Sequence, residues 1–326
     1  MNVLKRAVKR TLSSSLGWGV FGPAVRAPGV IVLTYHRILG KEPTPLEGIS
    51  VDAFAAQMEW VRSRCDPIEP ERLMDHARRG RQRRPAVLVT FDDGYRDYHD
   101  LAYPVLRRLG IPAVVFLATS FLDEGGMLWT EQVQWATSMT RREKVRLPWS
   151  KDEELVLSDA RARSALGKAV RARLKKLPDG ERRTELAALL AELDPPPLPE
   201  RQMLSWDDVR RTMDLTVYGG HSHTHPILSR LDRAAAVDEI RTCRDRIADE
   251  TGKTPTLFAY PNGTPADYTS ETKDILRDHG FTLAFSTTEG IAGPDTDSMA
   301  VQRLPSGEVD VPDFVWMAAG LMRNGA

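Results

Sequence analysis

Short apolar runs punctuate the chain, and most are separated by segments with helical spacing. The runs are residues 30–35, 86–91, 113–118, 215–218, 257–260, 282–286 and 300–304. Runs of this length without polar alternation predict strands buried on both faces. Between them, residues 52–64 place Phe54, Met58 and Val61 on one face, and residues 98–109 end at Gly110, which suits a helix stop. Residues 234–249 and 268–279 repeat the form, the second stopping at Gly280. Strands alternating with helices predict an α/β domain built on a parallel sheet.

Residues 130–201 break this rhythm. Ala162, Ala165, Leu166, Ala169, Val170, Leu174 and Leu177 form one helical stripe, and Leu186, Leu189, Leu190 and Leu193 a second. Asp179-Gly180 separates the two, and Pro195-Pro196-Pro197 ends the second. The segment reads as a helical insertion whose charges form a solvated face. The chain is therefore expected to hold a basic helical segment at 1–29 and one α/β domain at 30–326, with the insertion at about 130–201.

The first 26 residues carry Lys5, Arg6, Lys9, Arg10 and Arg26 and no acid, with Val3, Leu4, Ala7, Val8, Leu12 and Leu16 on one stripe. Two readings stand: a helix packed on the domain, or a basic amphipathic helix in peripheral contact with an anionic membrane through residues 1–24. A secretory signal needs an apolar core of at least about 7 residues, and Ser13, Ser14 and Ser15 interrupt any such run. The expected compartment is cytoplasmic, with the inner membrane face as the alternative.

Lys and Arg number 45 and Asp and Glu 45, so the formal net charge is zero. That balance argues against a general nucleic-acid binder. Two cysteines, Cys65 and Cys243, make neither a disulfide framework nor a four-cysteine zinc site. No G-x-G-x-x-G follows a strand, and neither a P-loop nor a G-x-S-x-G occurs.

Two clusters carry chemistry. Thr90-Phe91-Asp92-Asp93-Gly94 directly follows an apolar run. Adjacent carboxylates repel, and strand ends are where barrel active sites sit. Taken alone, the pair reads equally well as a helix cap beside a solvated charge. His221-Ser222-His223-Thr224-His225-Pro226 holds three of the chain's 7 histidines in five positions. On an extended strand all three would share a face; on a turn His221 and His225 would converge and His223 would point elsewhere. A carboxylate with two histidines makes a three-ligand site with an open position for water, and the spare carboxylate can serve as general base.

Together with Phe258-Ala259-Tyr260-Pro261-Asn262-Gly263 and Leu204-Ser205-Trp206-Asp207, these motifs resemble the polysaccharide deacetylase family, also called the NodB-homology or carbohydrate esterase 4 family. The resemblance covers about 30–125 and 204–305. It implies a distorted (β/α)7-8 barrel and metal-dependent removal of N-acetyl groups from an amino-sugar glycan. It implies Asp92 as catalytic base and Asp93, His221 and His225 as ligands of a divalent metal, with zinc the expected ion. His223 falls on a variable position and is expected to line the pocket. Ala259 stands where many members have an arginine that contacts the base, and Arg303 is the candidate substitute. Tyr260, Pro261 and Asn262 are expected on the substrate side, the Asn262 N–H helping to hold the oxyanion. Trp206 and Trp129, with Tyr260, are candidates for sugar stacking.

The family's general acid is usually a histidine near the chain end, and none follows His279. Tyr35-His36 instead follows the first apolar run, as in the permuted, exopolysaccharide-associated members, so His36 is the expected acid, on the side of the cleft opposite Asp92. His76, His99 and His279 are expected at the surface. Rival functions are an O-acetyl esterase, a small-molecule amidase, or a non-catalytic glycan-binding or assembly protein.

Overall fold

The apolar runs become the strands of a parallel barrel: β1 (Val30–Tyr35), β2 (Ala86–Phe91), β3 (Ala113–Leu117), β4 (Thr216–Gly220), β5 (Leu257–Ala259), β6 (Leu283–Glu289) and β7 (Val301–Pro305). The structure is a computed structural model that describes residues 29–79, 84–150, 154–198 and 201–318. The strands neighbour one another in the order β1-β7-β6-β5-β4-β3-β2, and β2 pairs back onto β1 over six registered positions, which closes the barrel. A two-residue strand, Asp66–Pro67, adds to the start of β2. The fold is thus the closed seven-stranded α/β barrel that the sequence motifs imply.

Strand alternation sorts the core. Val30, Val32, Ala86, Leu88, Val114, Phe116, Leu257, Ala259, Leu283, Phe285 and Val301 fill the barrel as one buried cluster. The alternate positions Ile31, Leu33, Val87, Val89, Phe91, Val115 and Leu117 pack outward in a second cluster with the helices. At Gly219 an added Cβ would sit 2.7 Å from the Phe116 ring, so the bare glycine makes the room that Phe116 occupies.

The helices in chain order are α1 (Val51–Arg64), α2 (Leu73–Arg79), α3 (Tyr103–Leu109), α4 (Thr119–Glu124), α5 (Trp129–Met139), α6 (Ala160–Leu174), α7 (Asp179–Leu193), α8 (Trp206–Thr212), α9 (Arg233–Thr251), α10 (Ser270–Asp278) and α11 (Val311–Ala318). Their starts follow capping chemistry: Ser50 accepts from the Ala53 N–H, and Ser205 and Asp208 form a capping box. The expected helix over 98–109 opens with a π-turn, Tyr98–Ala102, in which the Tyr103 N–H donates to the Tyr98 carbonyl. Pro104 has no N–H to give to the ordinary ladder there. One placement differs from expectation: His76 is buried on α2 and not at the surface. Cys65 and Cys243 are both buried, with free thiols, as their places in helix-like stretches suggest.

The described residues divide into two compact units: one comprises those up to Lys41, those within Gly48–Asp123 and those from Leu204, and the second Glu42–Glu47 with those within Glu124–Met203. The second corresponds to the expected insertion, with wider bounds. Its core joins Trp129, Val133, Val145, Val170, Leu174, Leu189 and Leu193. It is not all helical: Lys144–Arg146 and Glu154–Val156 form an antiparallel pair. Asp179-Gly180 is not the break between helices but the first turn of α7, which Pro178 precedes. The expected N-terminal helix lies outside the described residues.

Candidate active site

The inward parity that builds the barrel core also builds its rim. Val30, Val32 and Thr34 lead to His36; Ala86, Leu88 and Thr90 lead to Asp92; Val217 and Gly219 lead to His221. Parallel strands end on one face, so these side chains arrive together. The backbone there is strained. Asp93 (φ +75°), Ser222 (+60°), His225 (+59°) and Asn262 (+62°) are four of the five described non-glycine residues at positive φ. Each costs of order 1–3 kcal/mol, and such residues cluster where a site requires them. Gly94 follows at φ +83°, and an added Cβ would meet the Leu117 side chain at 2.9 Å, so only glycine fits the turn after Asp93.

Asp93, His221 and His225 present ligand atoms within 4.8 Å of one another, all from buried residues. The Asp93 Oδ1 lies 3.3 Å from Nε2 of each histidine. The turn geometry therefore holds and the strand-like alternative does not: His223 points away, its Nδ1 2.9 Å from the Thr119 hydroxyl. His221 Nδ1 sits 2.7 Å from the Ala259 carbonyl. That contact places the proton of a neutral imidazole on Nδ1 and leaves the Nε2 lone pair facing Asp93. Burial pushes the Asp93 carboxyl up, but the two imidazoles outweigh it and hold the group well below the usual carboxylate range. Burial lowers His225, overriding the pull of Asp93. Two imidazole Nε2 atoms and a carboxylate oxygen converging in a buried site are a donor set that, with the imidazoles neutral, fits a divalent cation of the zinc type.

Asp92 is 2% exposed and Arg303 1%. The guanidinium donates to both carboxylate oxygens, Nη1 to Oδ1 at 2.7 Å and Nη2 to Oδ2 at 2.8 Å. Its Nε donates to the Ser286 carbonyl at 2.8 Å. Burial raises the Asp92 carboxyl, while Arg303, His221 and His36 lower it, and the net position is below the usual range. Arg303 therefore holds the carboxylate, and at 1% exposure it is not placed to touch a substrate. His36 is half exposed on the rim, its Nε2 3.9 Å from Asp92 Oδ2. It does not lie across the cleft from Asp92 as expected. Tyr35 and Phe91 are register partners, so the residues that follow them are neighbours.

Three candidates for sugar stacking are engaged elsewhere. Tyr260 is buried, stacked on Tyr268 with centroids 4.0 Å apart, and donates its hydroxyl to the Met299 carbonyl. Trp206 packs in the outer core and donates its indole N–H to Asp123 at 2.7 Å. Trp129 lies in the core of the second unit. Pro261 is buried, and its carbonyl accepts from the Gly263 N–H at 2.8 Å. Asn262 remains available: its carbonyl accepts from the Thr287 hydroxyl, while its buried Nδ2 has no hydrogen-bond partner among the described residues. Sequence reasoning passed over Glu239, whose carboxylate binds the loop carrying His223 and Thr224. Its only sequence signal is its place beside the buried Ala236, Ile240 and Cys243 of α9.

Residues 79–194 and 200–284 match the family model described as polysaccharide deacetylase. YxkH of Bacillus subtilis is 31% identical over 107 residues, 32% of this chain and 37% of that protein. The poly-beta-1,6-N-acetyl-D-glucosamine N-deacetylase of Staphylococcus epidermidis is 26% identical over 106 residues, 28% of this chain and 37% of that protein. The matched segment thus spans well under two thirds of either relative. Among solved structures, the Streptococcus pyogenes deacetylase PplD superposes with a TM-score of 0.60 at 15% identity, covering 90% of this chain and 99% of that one. IcaB from Ammonifex degensii gives 0.56 at 21%, covering 90% and 97%. These likenesses bear on the fold, and the family match covers Asp92, Asp93, His221 and His225 while leaving His36 and Arg303 outside it. By that match and by the barrel beneath it, the chain belongs to the polysaccharide deacetylase family.

Proposed function

We propose that the protein is a metal-dependent deacetylase that removes N-acetyl groups from an amino-sugar oligosaccharide or polysaccharide, releasing acetate. The observation that carries the reading is the convergence of Asp93, His221 and His225 beside an Arg303-held Asp92. The similarity to a relative named for N-acetyl-D-glucosamine polymers supports the choice of an amino sugar.

Asp93, His221 and His225 would hold a divalent cation, with zinc the ion this donor set suits. Bound there, the cation would supply Lewis-acid polarisation of the acetyl carbonyl and acidification of a water. Asp92 accepts the proton of the water that adds to the acetyl carbon. Each of its oxygens takes one guanidinium N–H and keeps a further lone pair for that proton. The same ion pair keeps Asp92 ionised at neutral pH, at some cost in basicity. The Asn262 N–H, on its left-handed turn, donates to the developing oxyanion. His36, on the rim, gives a proton to the leaving nitrogen as the C–N bond breaks. The products are acetate and a free amino sugar.

The test is acetate release from N-acetylated amino-sugar oligosaccharides, O-acetylated sugars and small acetamides. The expected result is acetate from the first class with one free amine formed per acetate. Acetate from O-acetylated sugars or small acetamides alone, or from no substrate, would contradict the reading.

A further inference from the structure

His221 to His225 carry two of the three candidate cation ligands on a five-residue turn with two residues at positive φ. Backbone of that kind persists only where its surroundings over-determine it. Most of its polar groups bind main chain. The His221 N–H donates to the Leu117 carbonyl at 2.9 Å, and the Ser222 and His223 carbonyls accept from the N–H groups of Thr119 and Ser120 at 3.3 and 3.0 Å. The His225 N–H donates to Ser222 Oγ at 3.1 Å. Two of the three N–H groups left, those of His223 and Thr224, donate to one atom, Oε2 of Glu239, at 2.8 Å each. The Thr224 hydroxyl donates to the other oxygen at 2.5 Å. Glu239 comes from α9, whose face of Ala236, Ile240, Cys243 and Ile247 is buried, so the carboxylate is delivered from a fixed element.

We propose that Glu239 is a positioning residue for the cation centre: by spanning from α9 to the middle of the turn, it sets the approach of His221 to His225. The inference rests on reading Asp93, His221 and His225 as a cation site. Glu239 touches no ligand ring and acts through the backbone between them. Its reach matters more than its charge. Glutamine keeps an acceptor oxygen for both N–H groups, and its amide faces a Thr224 hydroxyl that can rotate to accept. Aspartate keeps the charge but falls one methylene short. Alanine leaves two backbone donors unpartnered.

The full-length chain, freed of metal by chelation, is titrated with zinc against a chromophoric chelator, and the visible spectrum of the cobalt form is recorded. Residues that orient metal ligands through hydrogen bonds typically cost 10–100-fold in metal affinity when lost. E239A and E239D are each expected to weaken zinc binding by about that factor and to alter the cobalt spectrum. E239Q is expected to retain the wild-type spectrum and most of the affinity. If E239A does not fold, the contrast between E239D and E239Q carries the test alone. Zinc affinity and cobalt spectrum unchanged in E239D or E239A overturn the proposal. So does the reverse order, E239D like wild type and E239Q weak, which would mean that charge and not reach is what counts. A wild-type chain that binds no zinc overturns the reading of the centre, and the proposal with it.

Discussion

Asp92 and Arg303 form an ion pair with almost no exposure to water, fixed by two parallel hydrogen bonds. Removing one partner of such a pair strands a buried charge, which typically costs 3–5 kcal/mol. Arg303→Met is therefore expected to lower the unfolding free energy by about that amount in a denaturant titration. It should also slow acetate release, because Asp92 loses the contacts that aim it. Unchanged stability in this variant would show that the pair does not hold the rim. Asp92, Asp93, His221 and His225 were legible in the chain because their two short runs complete one carboxylate-and-two-histidine set, although the aspartate pair alone reads equally well as a helix cap. Arg303 was legible only as the replacement for the arginine absent at Ala259, since nothing in its own neighbourhood marks it. Glu239 was not legible: among Asp238, Asp245, Asp249 and Glu250 it looks like one more solvated charge on a surface helix. Tyr260 and Trp206 were misread because an aromatic ring beside a motif looks the same whether it faces a sugar or the core.

The strands were predictable from their apolar runs, which parallel barrels bury on both faces. The closure of the barrel was legible only through the family resemblance, since register between β1 and β2 is a tertiary fact. That register decides the place of His36: Thr34 pairs with Thr90 and Tyr35 with Phe91, so His36 stands beside Asp92. As the proposed acid, His36 matters for an amine leaving group and much less for a phenolate, which departs without a proton. His36→Ala is expected to slow amide hydrolysis by about 10²–10⁴-fold, the usual range for one acid–base group. Hydrolysis of an activated acetyl ester should fall far less. Equal losses on the two substrates would show that His36 has another role. The hairpin Lys144–Arg146 with Glu154–Val156 escaped notice because its strands are three residues long and largely exposed. The start of α7 was misplaced because Gly180 reads as a breaker, whereas Pro178 before it and Asp179 and Glu181 in the first turn favour a helix start.

The two units differ in what marks them in the sequence. The barrel unit showed itself through strand rhythm and motifs, and the second through a change in composition. Its edges lie outside 130–201 because the unit also takes Glu42–Glu47 and begins again at Glu124, where no change of pattern marks the chain. Among the described residues no helix is long and apolar enough to cross a membrane. The catalytic account joins residues just after β1 and β2, one on β7 and the loops after β4 and β5, and all of it turns on one cation held by Asp93, His221 and His225. The most direct test is the metal content of the purified wild-type chain and of four variants, measured by elemental analysis at equal protein concentration. The account predicts one divalent ion per wild-type chain, near-complete loss in Asp93→Ala, His221→Ala and His225→Ala, and full retention in His223→Ala. A wild-type chain without metal, or a His223→Ala variant as depleted as the other three, would contradict it.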